Sequence, residues 1–183
     1  MRVISGTAKG HKLVAPEGKD TRPTTDRNKE SLFNMIAPDL YDAVFLDLFC
    51  GSGAIGIEAL SRGAKKAVFV DSSRQSREST QRNLQHTKLE QKAELLNQDV
   101  FSAIRLLKNR NERFDIIFMD PPYEEGLVAP VLEAIVLSSL LREDGYVIVE
   151  RGAKTLPPKV QGLKIIREKD YKTTVMTFMV LEA

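Results

Sequence analysis

One cysteine, no tryptophan and two histidines occur among the 183 residues. A lone Cys50 excludes an intrachain disulfide and any cysteine-rich zinc site. His11 and His86 lie too far apart along the chain to form a metal-ligand spacing. No metal is therefore expected. No run is long and apolar enough to span a bilayer, and the opening Met1-Arg2-Val3-Ile4-Ser5-Gly6 lacks the apolar core of a signal peptide. Internal repeats and low-complexity linkers are also missing. Neither sign of charge dominates: a net charge of +2 permits nucleic-acid binding without demanding it. What remains is a cytoplasmic chain whose length favours one domain with a real core.

What is present is an alternation of strands and helices. The first residues read as a β-hairpin: Arg2-Val3-Ile4, a turn between Gly6 and Gly10, then Lys12-Leu13-Val14. Asp26 is the expected N-cap of a helix carrying Leu32, Phe33, Met35 and Ile36, stopped by Pro38. From Ala43 onward, buried strands are expected at 44–48, 67–71 and 93–96, in a run ending at Asp120, and at 145–149. Helices are expected after the glycines up to Gly63, over an unusually polar 72–86, over 100–107 and over 127–141. Two last strands, near 163–167 and 173–181, would close the sheet as an antiparallel pair. Repeated βα units imply a parallel sheet covered by helices on both faces. Such sheets bind ligands beyond the carboxyl ends of their strands.

Asp47, Asp71 and Asp120 fall at or near expected strand ends. Between the first two, Gly51-Ser52-Gly53-Ala54-Ile55-Gly56 spells G-x-G-x-x-G after a strand and at the opening of a helix. A dinucleotide dehydrogenase would use that loop, with Asp71 on a ribose. Asp47, however, precedes the loop where its carboxylate would repel a pyrophosphate and receive an ammonium. The chain also leaves no room for a second large domain. S-adenosylmethionine has an ammonium, a ribose and an adenine but no phosphate, and fits better. Asp99 and Val100 would then meet its adenine amino group and ring. The plainer alternatives are a tight strand–helix turn for Gly51 and Gly53, and helix caps for Asp71 and Asp99.

Residues 120–123 read Asp-Pro-Pro-Tyr after the apolar run Phe114 to Met119. Asp120 can accept from an exocyclic NH₂, the prolines offer carbonyls but no N–H, and Tyr123 offers a ring for stacking. By itself the tetrapeptide also fits a strand ending in a tight proline turn with Tyr123 packed as core.

Taken in order, Asp47 to Gly53, Asp71, Asp99 and Asp120 to Tyr123 resemble a class I S-adenosylmethionine-dependent methyltransferase acting on exocyclic nitrogen. Arg2-Val3-Ile4-Ser5-Gly6, Gly10-His11-Lys12-Leu13 and above all Arg22-Pro23-Thr24-Thr25-Asp26-Arg27 closely resemble the start of the RsmD family. That family methylates a guanine N2 of bacterial 16S ribosomal RNA, and the likeness runs over essentially the whole chain.

The resemblance implies an α/β, Rossmann-like class I methyltransferase fold. It would be a seven-stranded, mostly parallel sheet with helices on both faces, plus an N-terminal β-hairpin and helix. Residues 1–40 would form an RNA-contacting extension and residues 41–183 the catalytic core. The implied cofactor set is Asp47, Phe49, Gly51, Gly53, Asp71, Asp99 and Val100, for S-adenosyl-L-methionine. Asp120, Pro121, Pro122 and Tyr123 would grip a flipped guanine. Arg2, Lys12, Arg22, Thr24 and Arg27 would face 16S rRNA, the small ribosomal subunit or its assembly intermediate. Cys50, where many relatives carry alanine, reads as a small buried residue. The polar 72–86 helix and the turn at Tyr171-Lys172-Thr173-Thr174 are less typical, and neither is expected to touch the chemistry. Rival readings are an adenine-N6 methyltransferase, an NAD-dependent oxidoreductase, and a non-catalytic RNA-binding assembly factor.

Overall fold

The computed structural model describes residues 1–18, 24–123 and 126–183. In chain order the elements are α1 (Asp26–Leu40), β1 (Val44–Leu48), α2 (Ala54–Ser61), β2 (Lys66–Val70), α3 (Arg74–Thr87), β3 (Ala93–Leu96), α4 (Val100–Asn109), β4 (Phe114–Met119), α5 (Val128–Leu137), β5 (Leu141–Gly152), β6 (Leu163–Tyr171) and β7 (Thr174–Leu181). The strands form one seven-stranded sheet in the order β3-β2-β1-β4-β5-β7-β6. The first five pair in parallel, and β7 runs antiparallel to both β5 and β6. After β3 the chain crosses to the far side of β1 to lay down β4. The switch in strand order, and the crevice that goes with it, therefore lies between β1 and β4.

Side chains alternate along each strand, and this divides the core in two. Phe45, Ile116, Phe118 and Ile148 join one cluster with Phe33, Ile36 and Ile57 of α1 and α2. Leu46, Leu48, Ile117, Met119 and Val147 join the other with Ile104, Leu107 and Leu132 of α4 and α5. Both faces are covered, so the central strands read as continuous apolar runs. Among the described residues, no helix is long and apolar enough to cross a membrane.

The N-terminal residues keep a rudiment of the expected hairpin. Arg2 and Lys12 make an antiparallel bridge, and the N–H groups of Val3, Gly10 and Leu13 donate to the carbonyls of His11, Val3 and Met1 across the two arms. Other backbone donors of this segment go to helices. Glu58 of α2 accepts from the N–H groups of Ile4 (2.9 Å) and Ser5 (3.1 Å). The N–H of Thr7 donates to the Ser61 carbonyl and that of Ala8 to the Ser61 hydroxyl. Asn83 of α3 holds Val14 by both its N–H and its carbonyl. Val3, Ala8 and Leu13 are buried in the same cluster as Leu32 and Phe33. Residues 1–14 are thus strapped onto the sheet's helical cover.

Helix boundaries shift for local reasons. The N-cap of α1 is Thr25, whose hydroxyl accepts from the Asn28 N–H at 3.1 Å; Asp26 is already in the first turn. Pro38 lies inside the helix. Its missing N–H falls in the last turn, and burial of Leu40 at 1% exposure carries the helix past it. Helix α5 ends at Leu137, and Leu141 already pairs with Phe114, so β5 begins earlier than expected.

Glu58 ties the strap to the core. It is 0% exposed, lies 3.5 Å from the Lys29 ammonium and 2.9 Å from Arg62 Nε, and Lys29 also donates to the Arg2 carbonyl. Burial lowers the Lys29 pKa, against the pull of Glu58. Removing one member of such a set leaves an uncompensated buried charge. Glu58→Ala should therefore lose about 3–5 kcal/mol in urea unfolding, whereas an exposed pair such as Arg74–Glu78 should give less than about 1 kcal/mol when broken.

Candidate active site

The glycine loop is built by three elements. Asp47, 1% exposed near the end of β1, accepts from the Gly56 N–H at 3.0 Å and so pins the start of α2. A Cβ on Gly56 would lie 2.4 Å from the Phe69 ring, so only glycine lets α2 sit this close to β2. Gly53 has φ +78°, and a Cβ there would meet Thr80 Cγ2 at 2.8 Å. Phe49 also holds a left-handed backbone, φ 60°, which is unusual for a bulky residue. Asp71 bridges the loop and α3: one oxygen accepts from the Gly51 N–H and the other from the Ser73 N–H, both at 2.9 Å. The N-cap of α3 is Ser73, not Asp71.

The polar helix proves to be the brace of this loop. Its buried face carries Ser76, Ser79, Thr80, Asn83 and Thr87. Thr80 donates to the Gly51 carbonyl at 2.8 Å and Asn83 to the Ser52 carbonyl at 2.9 Å. The expectation that this helix stays away from the site is corrected: its polarity satisfies loop carbonyls that would otherwise be buried unpaired. Cys50 is buried at 3.7 Å from the Thr80 hydroxyl, and burial drives its thiol pKa well up, which suits an inert residue.

Beyond β3, Asp99 is exposed and caps α4, accepting from the Ser102 N–H (3.0 Å) and hydroxyl (2.6 Å). These bonds hold its pKa low. Val100 is 7% exposed and packs in the α4-side cluster, against which Phe49 also packs. The capping alternative for Asp99 is thus realised, while Phe49 and Val100 share one apolar wall.

Asp120 follows β4, half-buried; Pro121 is buried and Pro122 exposed. Tyr123 is 56% exposed, so it is not the core residue of the plainer reading. A residue missed in the sequence joins them. Glu150, near the end of β5, is 4% exposed and accepts from the Thr24 hydroxyl at 2.9 Å. Val147-Ile148-Val149-Glu150 closes an apolar run with a carboxylate, but β5 continues to Gly152 and no turn sets Glu150 apart as one does Asp120.

Three carboxylates therefore converge. Burial, then the charges of Glu150 and Asp47, push the Asp120 pKa well up. Burial raises Glu150 against the Thr24 hydrogen bond, and burial raises Asp47 to about 7. Among the described residues, no Lys or Arg forms an ion pair with Asp47, Asp71, Asp120 or Glu150. A carboxylate cluster of this kind suits a cation.

The basic residues of the N-terminal region scatter. Arg2 pairs with Asp26 at 3.6 Å. Lys12 and Arg27 are exposed, Thr24 turns inward to Glu150, and Arg22 lies outside the described residues. Arg27 lines an open groove of about 650 Å³ between α1 and β6, together with Arg167, Lys169, Ser31, Asn34, Met35 and one acid, Glu30. The two histidines meet edge to face at 5.1 Å. Among the described residues, no cluster of His, Cys, Asp and Glu could hold a metal.

Strand order, glycine loop and strand-end carboxylates together define a class I methyltransferase. Residues 1–180 match the family model described as Conserved hypothetical protein 95. A Bacillus subtilis protein named "Putative rRNA methyltransferase YlbH" is 41% identical over 175 residues, 95% of each chain. The Ribosomal RNA small subunit methyltransferase D of Escherichia coli is 35% identical over 92% of this chain and 84% of its own. A solved Escherichia coli structure, "Putative methyltransferase yhhF", superposes with a TM-score of 0.86 at 33% identity, covering 100% and 98% of the two chains. The chain belongs to the RsmD family of methyltransferases.

Asp47 makes a test of the charge assignment. Its folded pKa of about 7 exceeds the ordinary 3.8, so between those values the folded state binds more protons than the unfolded. Its contribution to stability therefore falls as pH rises through that window. The Tm of ligand-free Asp47→Asn, whose side-chain oxygen can still accept from Gly56, should gain on wild type as pH goes from about 5 to about 8. A pH-independent difference in thermal melts would overturn the assignment.

Proposed function

We propose that this chain transfers a methyl group from S-adenosyl-L-methionine to the exocyclic N2 of a guanine in 16S rRNA of the small ribosomal subunit, in the cytoplasm. The observation that carries the reading is the cluster of buried carboxylates at the strand ends, none of which forms an ion pair with a Lys or Arg among the described residues. A dinucleotide would bring a pyrophosphate against Asp47; S-adenosylmethionine brings an ammonium and a sulfonium. The names of the relatives, rRNA methyltransferases on both counts, support the substrate class.

In this reading Asp47 holds the ammonium, and Asp71 uses the lone pairs not taken by Gly51 and Ser73 for ribose hydroxyls. Phe49 and Val100 flank the adenine, with Asp99 at its amino group. The cofactor supplies an electrophilic methyl on a sulfonium. Everything else falls to the protein. Tyr123 stacks on the flipped base. Asp120 and the Pro121 carbonyl each accept one N2–H, which aims the nitrogen lone pair along the line of transfer. As the N–C bond forms, positive charge grows on N2 and the Asp120 carboxylate stabilises it. The same carboxylate takes the proton that N2 gives up.

Residues 41–183 form the catalytic core, and residues 1–40 bring RNA to it. The groove of Arg27, Arg167 and Lys169 is the phosphate track. It lies near the catalytic edge of the sheet, since the Ser31 hydroxyl meets the Tyr171 hydroxyl at 2.8 Å where β6 turns into β7.

Labelled S-adenosylmethionine and small subunits lacking the modification provide the test. The digested RNA should yield labelled N2-methylguanosine, and N6-methyladenosine or no label would refute the reading. Asp120→Ala should lower turnover by about 100- to 1,000-fold with cofactor affinity nearly unchanged. S-adenosylmethionine, and not NAD, should raise the Tm. Arg27→Ala with Arg167→Ala should weaken RNA binding and flatten its dependence on salt, by up to about one unit of log–log slope for each phosphate no longer neutralised.

A further inference from the structure

The Asp-Pro-Pro-Tyr segment by itself does not separate guanine from adenine, since both present an amino group. Glu150 supplies the missing distinction. Strands β4 and β5 pair in parallel with Met119 opposite Val149. One step further, Asp120 and Glu150 stand side by side, on strands about 4.8 Å apart. Phe118 and Ile148, two residues before them, both lie in the α1–α2 cluster. By alternation, Asp120 and Glu150 point to that same face. The charge of Glu150 ranks among the causes of the Asp120 shift, as adjacency requires. The Thr24 hydroxyl donates to Glu150 Oε2. That bond fixes the side chain, opposes the upward push that burial gives its pKa, and leaves the other oxygen for a second donor.

Two adjacent acceptors match one base. On its Watson–Crick edge guanine presents two neighbouring donors, N1–H and the N2 amino group. Adenine and cytosine present an amino group beside an unprotonated ring nitrogen. A carboxylate facing that ring nitrogen attracts guanine and repels the other two. We propose that Glu150 is the residue that selects guanine, its carboxylate accepting the N1–H of the base whose N2 is held by Asp120. This deepens the function proposed above and rests on it.

2-Aminopurine is the probe, because it keeps the amino group of guanine beside an unprotonated N1. Small subunits are assembled on 16S rRNA ligated from synthetic fragments, with guanine or 2-aminopurine at the methylated position. Wild type should prefer guanine in kcat/KM by about 100-fold or more. Glu150→Gln keeps the side-chain volume and an acceptor for Thr24, and should shrink that preference to about tenfold or less. A merely structural role would lower both substrates alike and leave the ratio unchanged, which would overturn the proposal while leaving N2 methylation standing. If wild type fails to methylate guanine at N2, the underlying function and this role fall together. Thr24→Ala should narrow the ratio in the same direction. Should Glu150→Gln not fold, wild type still decides: equal kcat/KM for guanine and 2-aminopurine would refute the role of Glu150.

Discussion

The constraint on which the site depends is the crossing of the chain from β3 to the far side of β1. It sets β1 and β4 side by side in parallel, with β5 beyond, so residues of equal register share a face and an end. Asp47, Asp120 and Glu150 come from three distant stretches of chain, yet all lie at the carboxyl ends of neighbouring strands. Each could be solvated alone. Burial raises the pKa of all three, and at Asp120 the charges of Glu150 and Asp47 add to it, so the cluster holds protons at pH values where exposed carboxylates have none. The cost is borne by the fold, whose apolar clusters on both faces of the sheet are continuous. A cation entering the pocket relieves it, so binding and ionisation of the site are coupled.

The second dependence is of the loop on its cover. The strap of residues 1–14 is held by Glu58, Ser61 and Asn83. Asn83 and its neighbour on the helix, Thr80, also hold the glycine loop. One side chain thus serves both the N-terminal segment and the loop. Disturbing the strap would loosen the loop without touching Asp47, Asp71, Asp99 or Asp120, and its removal would also strip Val3, Ala8 and Leu13 from the core. The N-terminal region is accordingly a structural support of the glycine loop, whatever part it takes in the proposed contact with RNA.

Much of this was legible in the sequence. Strand ends at Asp47, Asp71 and Asp120 could be read because buried parallel strands are short apolar runs, and a carboxylate closing one stands out. The G-x-G-x-x-G loop could be read because close packing leaves no alternative to glycine at Gly56. What could not be read were contacts set by tertiary structure. The hairpin pattern of residues 2–14 is a local signal that announces the pairing of the two arms, but not the bonds by which Ile4, Ser5, Ala8 and Val14 fasten them to α2 and α3. The polar face of α3 breaks the amphipathic rule because the surface it covers is a loop rich in carbonyls. Glu150 was overlooked for a different reason. It lies inside a long strand that continues to Gly152, so no turn marks it, and only the register with β4 reveals it as the neighbour of Asp120.

Charge segregation follows from these placements and bears on how a polyanion can be a substrate at all. An acidic pocket repels phosphate, so an RNA strand cannot lie across it as it would across a basic cleft. Positive charge is found instead in the groove of Arg27, Arg167 and Lys169, to one side. A backbone held there leaves the pocket to be entered only by a neutral group extended from the strand. An unstacked base meets that description, and a base still paired in a helix does not, because its exocyclic nitrogen is occupied and its phosphates travel with it. In the proposed function, the same carboxylates that would draw in a cationic cofactor would therefore also require that the nucleotide be flipped. Recognition by electrostatics and recognition by shape are consequences of one set of strand-end residues.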